Sequence, residues 1–215
     1  MNITIFGAGN MGRGIGHRFV ASDNALTIVD TNPEAAETLV NELKGVVRKG
    51  ATVHMATMDN VELGDVVVLA VQYGVNLELG KKLGKKLDGK VVVDIANPLN
   101  QTFDGLATAP GTSSAEELAK VVSSGAKVVK AFNTTFAGTL VAGNVGGTPL
   151  DVYIAGDDDA AKKTLAKLVG DGGLVAVDVG PLQRARELEG LGFLGITLQM
   201  RHNWGFATGW KIIRP

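Results

Sequence analysis

Short runs of apolar, β-branched residues recur along the chain, separated by longer stretches in which apolar positions return every three or four residues. "NITIF" (2–6), "ALTIVD" (25–30), "DVVVLAV" (65–71), "KVVVDIA" (90–96), "AKVVKAF" (126–132), "DVYIAG" (151–156) and "LVAVDVG" (174–180) have the length and composition of strands. "ATVHMA" (51–56) predicts one more, shorter strand. Most are apolar at every position rather than at alternate ones, the pattern of strands covered on both faces.

The stretches between them predict helices. "TNPEAAETLVNEL" (31–43) carries proline and acids in its first turn, where a fixed φ and the helix dipole favour them. "SSAEELAKVV" (113–122) holds a capping box, Ser114 with Glu117 three residues on. "DDDAAKKTLAKLV" (157–169) starts on aspartates, and a last helix is expected from about Leu182 to Gln199. "GKKLGKKL" (80–87) reads as an amphipathic helix, with Leu79, Leu83 and Leu87 on one stripe and the lysines off it. This alternation predicts an α/β fold: a Rossmann-type, doubly wound, mainly parallel sheet with a small C-terminal extension. The glycine-rich segment 138–150 suggests a division into a dinucleotide-binding part, 1–145, and a smaller C-terminal α/β part, 146–215.

Gly7, Gly9 and Gly12 fit G-x-G-x-x-G between the first strand and the first helix, with Ala8, Asn10 and Met11 completing the loop. The first glycine allows the tight turn, the second lets backbone approach a pyrophosphate, and the third lets helix pack on strand. The helix N-terminus then offers N–H groups to the phosphates. Asp30 ends the second strand 18 positions beyond Gly12, where a carboxylate can accept ribose hydroxyls and would repel a 2′-phosphate. That favours NAD, as does the lack of arginine in "VDTNPEAAE"; Thr31 and Asn32 could still bond a phosphate, so NADP stays open. The competing reading is that Asp30 merely ends the strand and caps the next helix.

Open α/β sheets bind ligands at the carboxyl ends of their strands. There Ala70, Val71 and Gln72 could line a nicotinamide ribose, Asn97 and Pro98 make a rigid polar turn, and Asn133, Thr134 and Thr135 make another. Turn chemistry alone could account for each; several polar turns on one sheet edge favour binding.

Composition narrows the chemistry. With no cysteine there is no disulfide, thiolate nucleophile or cysteine-ligated cluster. The three histidines lack metal-ligand spacing, His17 reads as an ordinary helix position, and the aspartates at 157–159 read as a solvated cap, so no metal is expected. No general base stands out and no lysine sits where its pKa should fall, so no catalytic residue is assigned. Direct hydride transfer between two stacked ring cofactors fits such a chain. A net charge of −1 argues against nucleic acid. Apolar runs such as "VVVLAV" (66–71) are too short to span a bilayer, and Met1 leads into a strand without a signal-peptide pattern, so a soluble, cytoplasmic protein is expected.

Taken in order, "ITIFGAGNMGRGIG", "VVVDIANPLN", "SSAEELAK", "KVVKAFNTTFAGTL", "AGDDDAAKK" and "GPLQRARELEGLGFLGITL" resemble the F420-dependent NADP oxidoreductase family and its bacterial dinucleotide-binding relatives. The resemblance implies hydride exchange between NAD(P) and coenzyme F420, a 5-deazaflavin, with the C-terminal part closing the cleft, usually in a homodimer. It implies that Gly7 to Gly12 hold the pyrophosphate, that Asn97 and Pro98 lie by the nicotinamide, and that Asn133 and Thr134 meet the deazaflavin. Gly180, Pro181 and Leu182 would shape the cleft wall. Asp30-Thr31 replaces the serine–arginine type pair of NADP-using members, and Gln72 stands where proline is common. A flavin, a quinone or a ferric chelate are alternative acceptors. A non-catalytic NAD(P)-sensing protein is a second class, and a truncated β-hydroxyacid dehydrogenase or imine reductase ranks last, because one substantial helix follows residue 180. The tail 201–215 carries Trp204 and Trp210, read as docking the tail or covering a dimer contact before stacking on an acceptor.

Overall fold

The apolar run after Met1 forms β1 (Asn2–Phe6), buried from Ile3 onward. Side chains on both of its faces need cover, and it takes an interior place in the sheet. The computed structural model describes residues 1–48 and 50–213; the last two residues of the tail, Arg214 and Pro215, lie outside the described residues. After β1 come α1 (Asn10–Phe19), β2 (Ala25–Val29), α2 (Pro33–Lys44), β3 (Thr52–Ala56), β4 (Val66–Leu69), α3 (Tyr73–Leu83) and β5 (Val91–Asp94). Then follow α4 (Ser114–Val121), β6 (Lys127–Lys130), α5 (Ala137–Ala142), β7 (Asn144–Val145), β8 (Thr148–Pro149), β9 (Asp151–Gly156), α6 (Asp159–Asp171), β10 (Val175–Gly180) and α7 (Ala185–His202).

The main sheet runs β10-β9-β6-β5-β4-β1-β2-β3. From β3 to β6 all neighbours are parallel, and the order reverses between β1 and β4, the switch point where a doubly wound sheet opens a crevice. The Rossmann-type fold expected from the strand–helix alternation is therefore the fold observed. β9 joins β6 antiparallel, Val129 opposite Gly156 and Lys130 opposite Ala155, and β10 joins β9 parallel. Residues beyond 150 thus extend the sheet of the first part, while 144–149 form a separate two-stranded hairpin. One apolar layer packs α1, α2, α5 and α6 on the sheet around Ile3, Ile15, Leu43 and Leu165; the other packs α3, α4 and the start of α7 around Leu69, Leu83 and Leu118. Each such side chain contributes about 1.5–3 kcal/mol on burial. No helix among the described residues is long and apolar enough to cross a membrane.

Three helix expectations need correction. Ser113, not Ser114, caps α4: its Oγ accepts the Glu116 N–H at 3.2 Å and donates to Glu116 Oε2 at 2.7 Å. "SSAEE" allows two box registers, and the extended backbone of Ser113 selects the earlier one. The helix read over 80–87 is the end of α3, which stops at Leu83; Gly84, at φ +47, turns the chain into a 3-10 segment that still buries Leu87. The last helix opens with a 3-10 turn at 182–184 and continues through His202.

Candidate functional site

Two of the loop glycines are required by packing and one is not. Gly7 sits at φ +104, and a Cβ there would lie 2.3 Å from the Ala70 carbonyl oxygen. A Cβ on Gly12 would lie 1.9 Å from the Gly7 oxygen. Gly9 has an ordinary φ of −74, and a Cβ on it would meet nothing within 4 Å. The fold leaves that space bare. Gly9 is the N-cap of α1, with no side-chain cap and no acid in the first turn, so the first N–H groups of the helix and its positive end face open space. A diphosphate fits that cradle. Gly9 and Asn10 are exposed, while Ala8 and Met11 are half-buried.

Asp30 does something the spacing did not show. Its Oδ2 accepts the Ala8 N–H at 2.7 Å and its Oδ1 accepts the Asn32 N–H at 2.8 Å, so it ties the glycine loop to the turn after β2. The cap of α2 is Asn32, whose Oδ1 accepts from the Glu34 N–H at 3.0 Å. Beside them α1 and α2 enclose an open cleft of about 370 Å³, lined by Ala8, Arg13, Asn32, Glu34, Ala35 and Thr38 among others. Its arginine, Arg13, comes from α1 rather than from the segment after β2. Arg13 pairs with Glu42 at 2.7–2.8 Å, and His17 Nε2 lies 2.6 Å from Glu42 Oε1. The hydrogen bond from Arg13 is the main reason the Glu42 carboxyl sits below its usual range.

β4, β5 and β6 end at the same edge as β1, so the topology brings Ala70, Val71 and Gln72, then Asn97 and Pro98, then Asn133 and Thr134 to the side of the glycine loop. The two asparagines bond each other: Asn97 Nδ2 donates to the Asn133 carbonyl at 2.7 Å, and Asn133 Nδ2 donates to Asn97 Oδ1 at 2.9 Å and to the Leu188 carbonyl at 2.8 Å. Helix α7 lies directly on them, since a Cβ on Gly192 would stand 2.4 Å from Asn97 Oδ1. Asn133 and Thr134 are therefore 4% and 3% exposed, and neither offers a face to a stacked ring. Phe132, just before them, holds a φ of +63, a costly conformation for a bulky residue that its complete burial maintains.

Gly180 pairs with Ala155, itself opposite Lys130, so it lies level with the end of β6, and Pro181 and Leu182 lead away from that edge. β9 and β10 run against β6, so the chain that follows each of them heads toward the opposite end of the sheet. The Leu182 N–H donates to Asp157 Oδ1 at 2.9 Å, and Leu182 is buried in the core. The antiparallel pairing that sets this direction was not legible in the strand pattern. Asp158 caps α6 through the Ala161 N–H, as its place at a helix start suggested. Trp210 packs against Gly195 of α7 and Trp204 stacks on His202, centroids 4.6 Å apart; Asp151 holds the tail through the Ile212 N–H.

The most consequential group escaped the sequence reading. Lys130 is completely buried, as are Asp94 and Glu189. Its Nζ donates to Asp94 Oδ2 at 3.0 Å, to Glu189 Oε1 at 2.7 Å and to the Ala96 carbonyl at 2.5 Å. Burial pushes the Glu189 carboxyl up, against the pull of Lys130. Nearby, Tyr73 donates to Glu117, and burial first, then that carboxylate, pushes the phenol to about 12. A charge closing an all-apolar strand, as in "VVVD" and "KVVK", was the available signal.

Residues 2–98 match the family described as NADP oxidoreductase, coenzyme F420-dependent. Metalloreductase STEAP3 of Rattus norvegicus is 29% identical over 206 residues, covering 96% of this chain and 38% of the relative, so the chain spans little more than a third of that protein's length. Among solved structures, a proposed F420-dependent NADP reductase from Arthrobacter sp. FB24 is 27% identical, with 99% of each chain covered and a TM-score of 0.80. A hypothetical protein from Sinorhizobium meliloti is 28% identical, with 85% of this chain and 86% of that chain covered and a TM-score of 0.73.

Proposed function

From a chain whose residues 2–98 match the NADP oxidoreductase, coenzyme F420-dependent family, we propose a reductase that moves a hydride between a nicotinamide dinucleotide and a flat ring acceptor, coenzyme F420 or a flavin-like compound. The observation that carries this reading is the bare Gly9 cradle over an uncapped helix end. In it Gly7 through Gly12 take the diphosphate, Asp30, Thr31 and Asn32 take the adenosine ribose, and Ala70, Val71, Gln72, Asn97 and Pro98 flank the nicotinamide. The bound nicotinamide supplies the hydride itself; the protein's part is to orient it and set the charge around it. Asp30 opposes a 2′-phosphate, whereas Arg13 across the cleft would attract one, so NAD and NADP are to be compared directly. Asn133 and Thr134 lie buried under α7 and Leu182 lies in the core, so these three offer an acceptor ring little surface.

A second reading is the reduction of a ferric chelate by NAD(P)H, supported by the metalloreductase relative that matches along 96% of this chain. Melting curves with NADP+, NAD+ and coenzyme F420 added separately test the binding. A nucleotide at a hundred times its Kd should add about 2.7 kcal/mol of stability. Oxidation of NAD(P)H followed at 340 nm with deazaflavin, flavin or ferric chelate then identifies the acceptor class. No shift with either nucleotide would overturn the reading; binding without turnover with any acceptor would make the protein a nucleotide sensor.

A further inference from the structure

Asp94 is the last residue of β5 and Lys130 the last of β6, so both close strands at the crevice edge, immediately before the turns that carry Asn97 and Asn133. All four carboxylate oxygens of Asp94 and Glu189 accept from N–H donors. Asp94 Oδ1 takes Asn76 Nδ2 at 2.7 Å and the Ala96 N–H at 2.8 Å; Glu189 Oε2 takes the Ser114 N–H at 3.1 Å; the other two oxygens take Lys130 Nζ. Every bond is the one an ionised carboxylate makes. Two carboxylates against one ammonium leave one net negative charge, enclosed in protein and out of reach of screening salt.

Such a group is a poor device for stability, because a well-packed apolar set of the same volume does as well or better. Its place at the strand ends suggests another use. The nicotinamide ring is neutral when reduced and carries a positive charge once the hydride, a proton with two electrons, has left. We propose that the Asp94–Lys130–Glu189 cluster, as a buried net negative charge beside the crevice, binds the oxidised nicotinamide in preference to the reduced one and so favours hydride release. These are positioning residues acting through the field, and the inference rests on the reading of the crevice as a nicotinamide site.

The test is the ratio of dissociation constants for the oxidised and reduced forms of whichever dinucleotide the wild type binds, measured by calorimetry and by nicotinamide fluorescence. Glu189→Gln removes the net charge with little change of shape and should raise that ratio about five- to thirty-fold, the effect of a unit charge across roughly 8–15 Å at an effective dielectric near 20. Asp94→Asn should move it the same way, and serves if Glu189→Gln does not fold. Lys130→Met with Glu189→Met keeps the net charge at minus one and should leave the ratio close to wild type. Equal loss of both affinities in the single variants, or an unchanged ratio, would show a purely structural cluster and overturn the inference. A wild type that binds neither form would instead sink the nicotinamide reading on which it rests.

Discussion

Gly7, Gly9 and Gly12 look alike in the motif, and their surroundings separate them. Gly12→Ala drives a methyl into the Gly7 carbonyl, with no flexible side chain to give way. It should cost about 1–3 kcal/mol or more in a denaturant melt. Gly9→Ala adds a methyl where nothing stands within 4 Å and at a φ that alanine accepts, so stability should stay within about 1 kcal/mol of wild type. Its dinucleotide affinity should fall at least about tenfold by calorimetry, because that methyl occupies the diphosphate's place. A Gly9→Ala protein with full affinity would mean that the cradle is not the binding site. Asp30 was legible as a carboxylate at the end of β2. Its grip on the Ala8 N–H was not, since that contact spans 22 residues.

At the scale of elements, the helix ends carry most of the specific polar chemistry. Glu116 receives the Ser113 cap at the start of α4 and a bidentate pair from Arg186 on α7, at 2.8 and 2.5 Å. The Arg186 hydrogen bonds are the main cause of its lowered pKa. A carboxylate held below its unfolded value stabilises the fold fully above the ordinary 4.5 and loses that contribution as pH falls through its folded value. Glu116→Gln should therefore melt earlier than wild type at pH 7, and the gap should narrow as the pH is taken below 4.5. A gap that does not narrow would mean that Arg186 contributes nothing through charge. Capping boxes are local enough to read from sequence, with one residue of slippage between adjacent serines. The α4–α7 clasp joins residues 70 apart, and no local pattern announces it.

For the whole molecule, the parallel order up to β6 follows from strand–helix alternation and right-handed crossovers. The reversal at β9 makes β9 and β10 a continuation of the same sheet, with α7 returning across the crevice edge to cover Asn97 and Asn133. That return leaves an apolar surface on the last helix and tail: Leu194, Met200, Trp204, Phe206 and Ile213 are exposed by 45% or more. A homodimer that covers it is the assembly we propose. Sedimentation should find two chains per particle in the wild type and one in Leu194→Glu/Met200→Glu, with the melting curve of the single chain retained. A monomeric wild type at micromolar concentration would reject it.

The glycine loop, Asp30, the polar turns and the doubly wound order could be read from the chain because each rests on spacing within a few residues or on a period that repeats along it. The buried charge of Asp94, Lys130 and Glu189 could not. In the sequence they are an acid and a base at two strand ends and a glutamate 59 residues later. Their meaning comes from a desolvated meeting point that exists once β5, β6 and α7 have packed. The same holds for the course of the chain from Gly180 to Leu182, which depends on the direction in which β9 joins its neighbour. Pairing direction is a property of contacts between distant segments, and hydrophobic pattern carries no record of it.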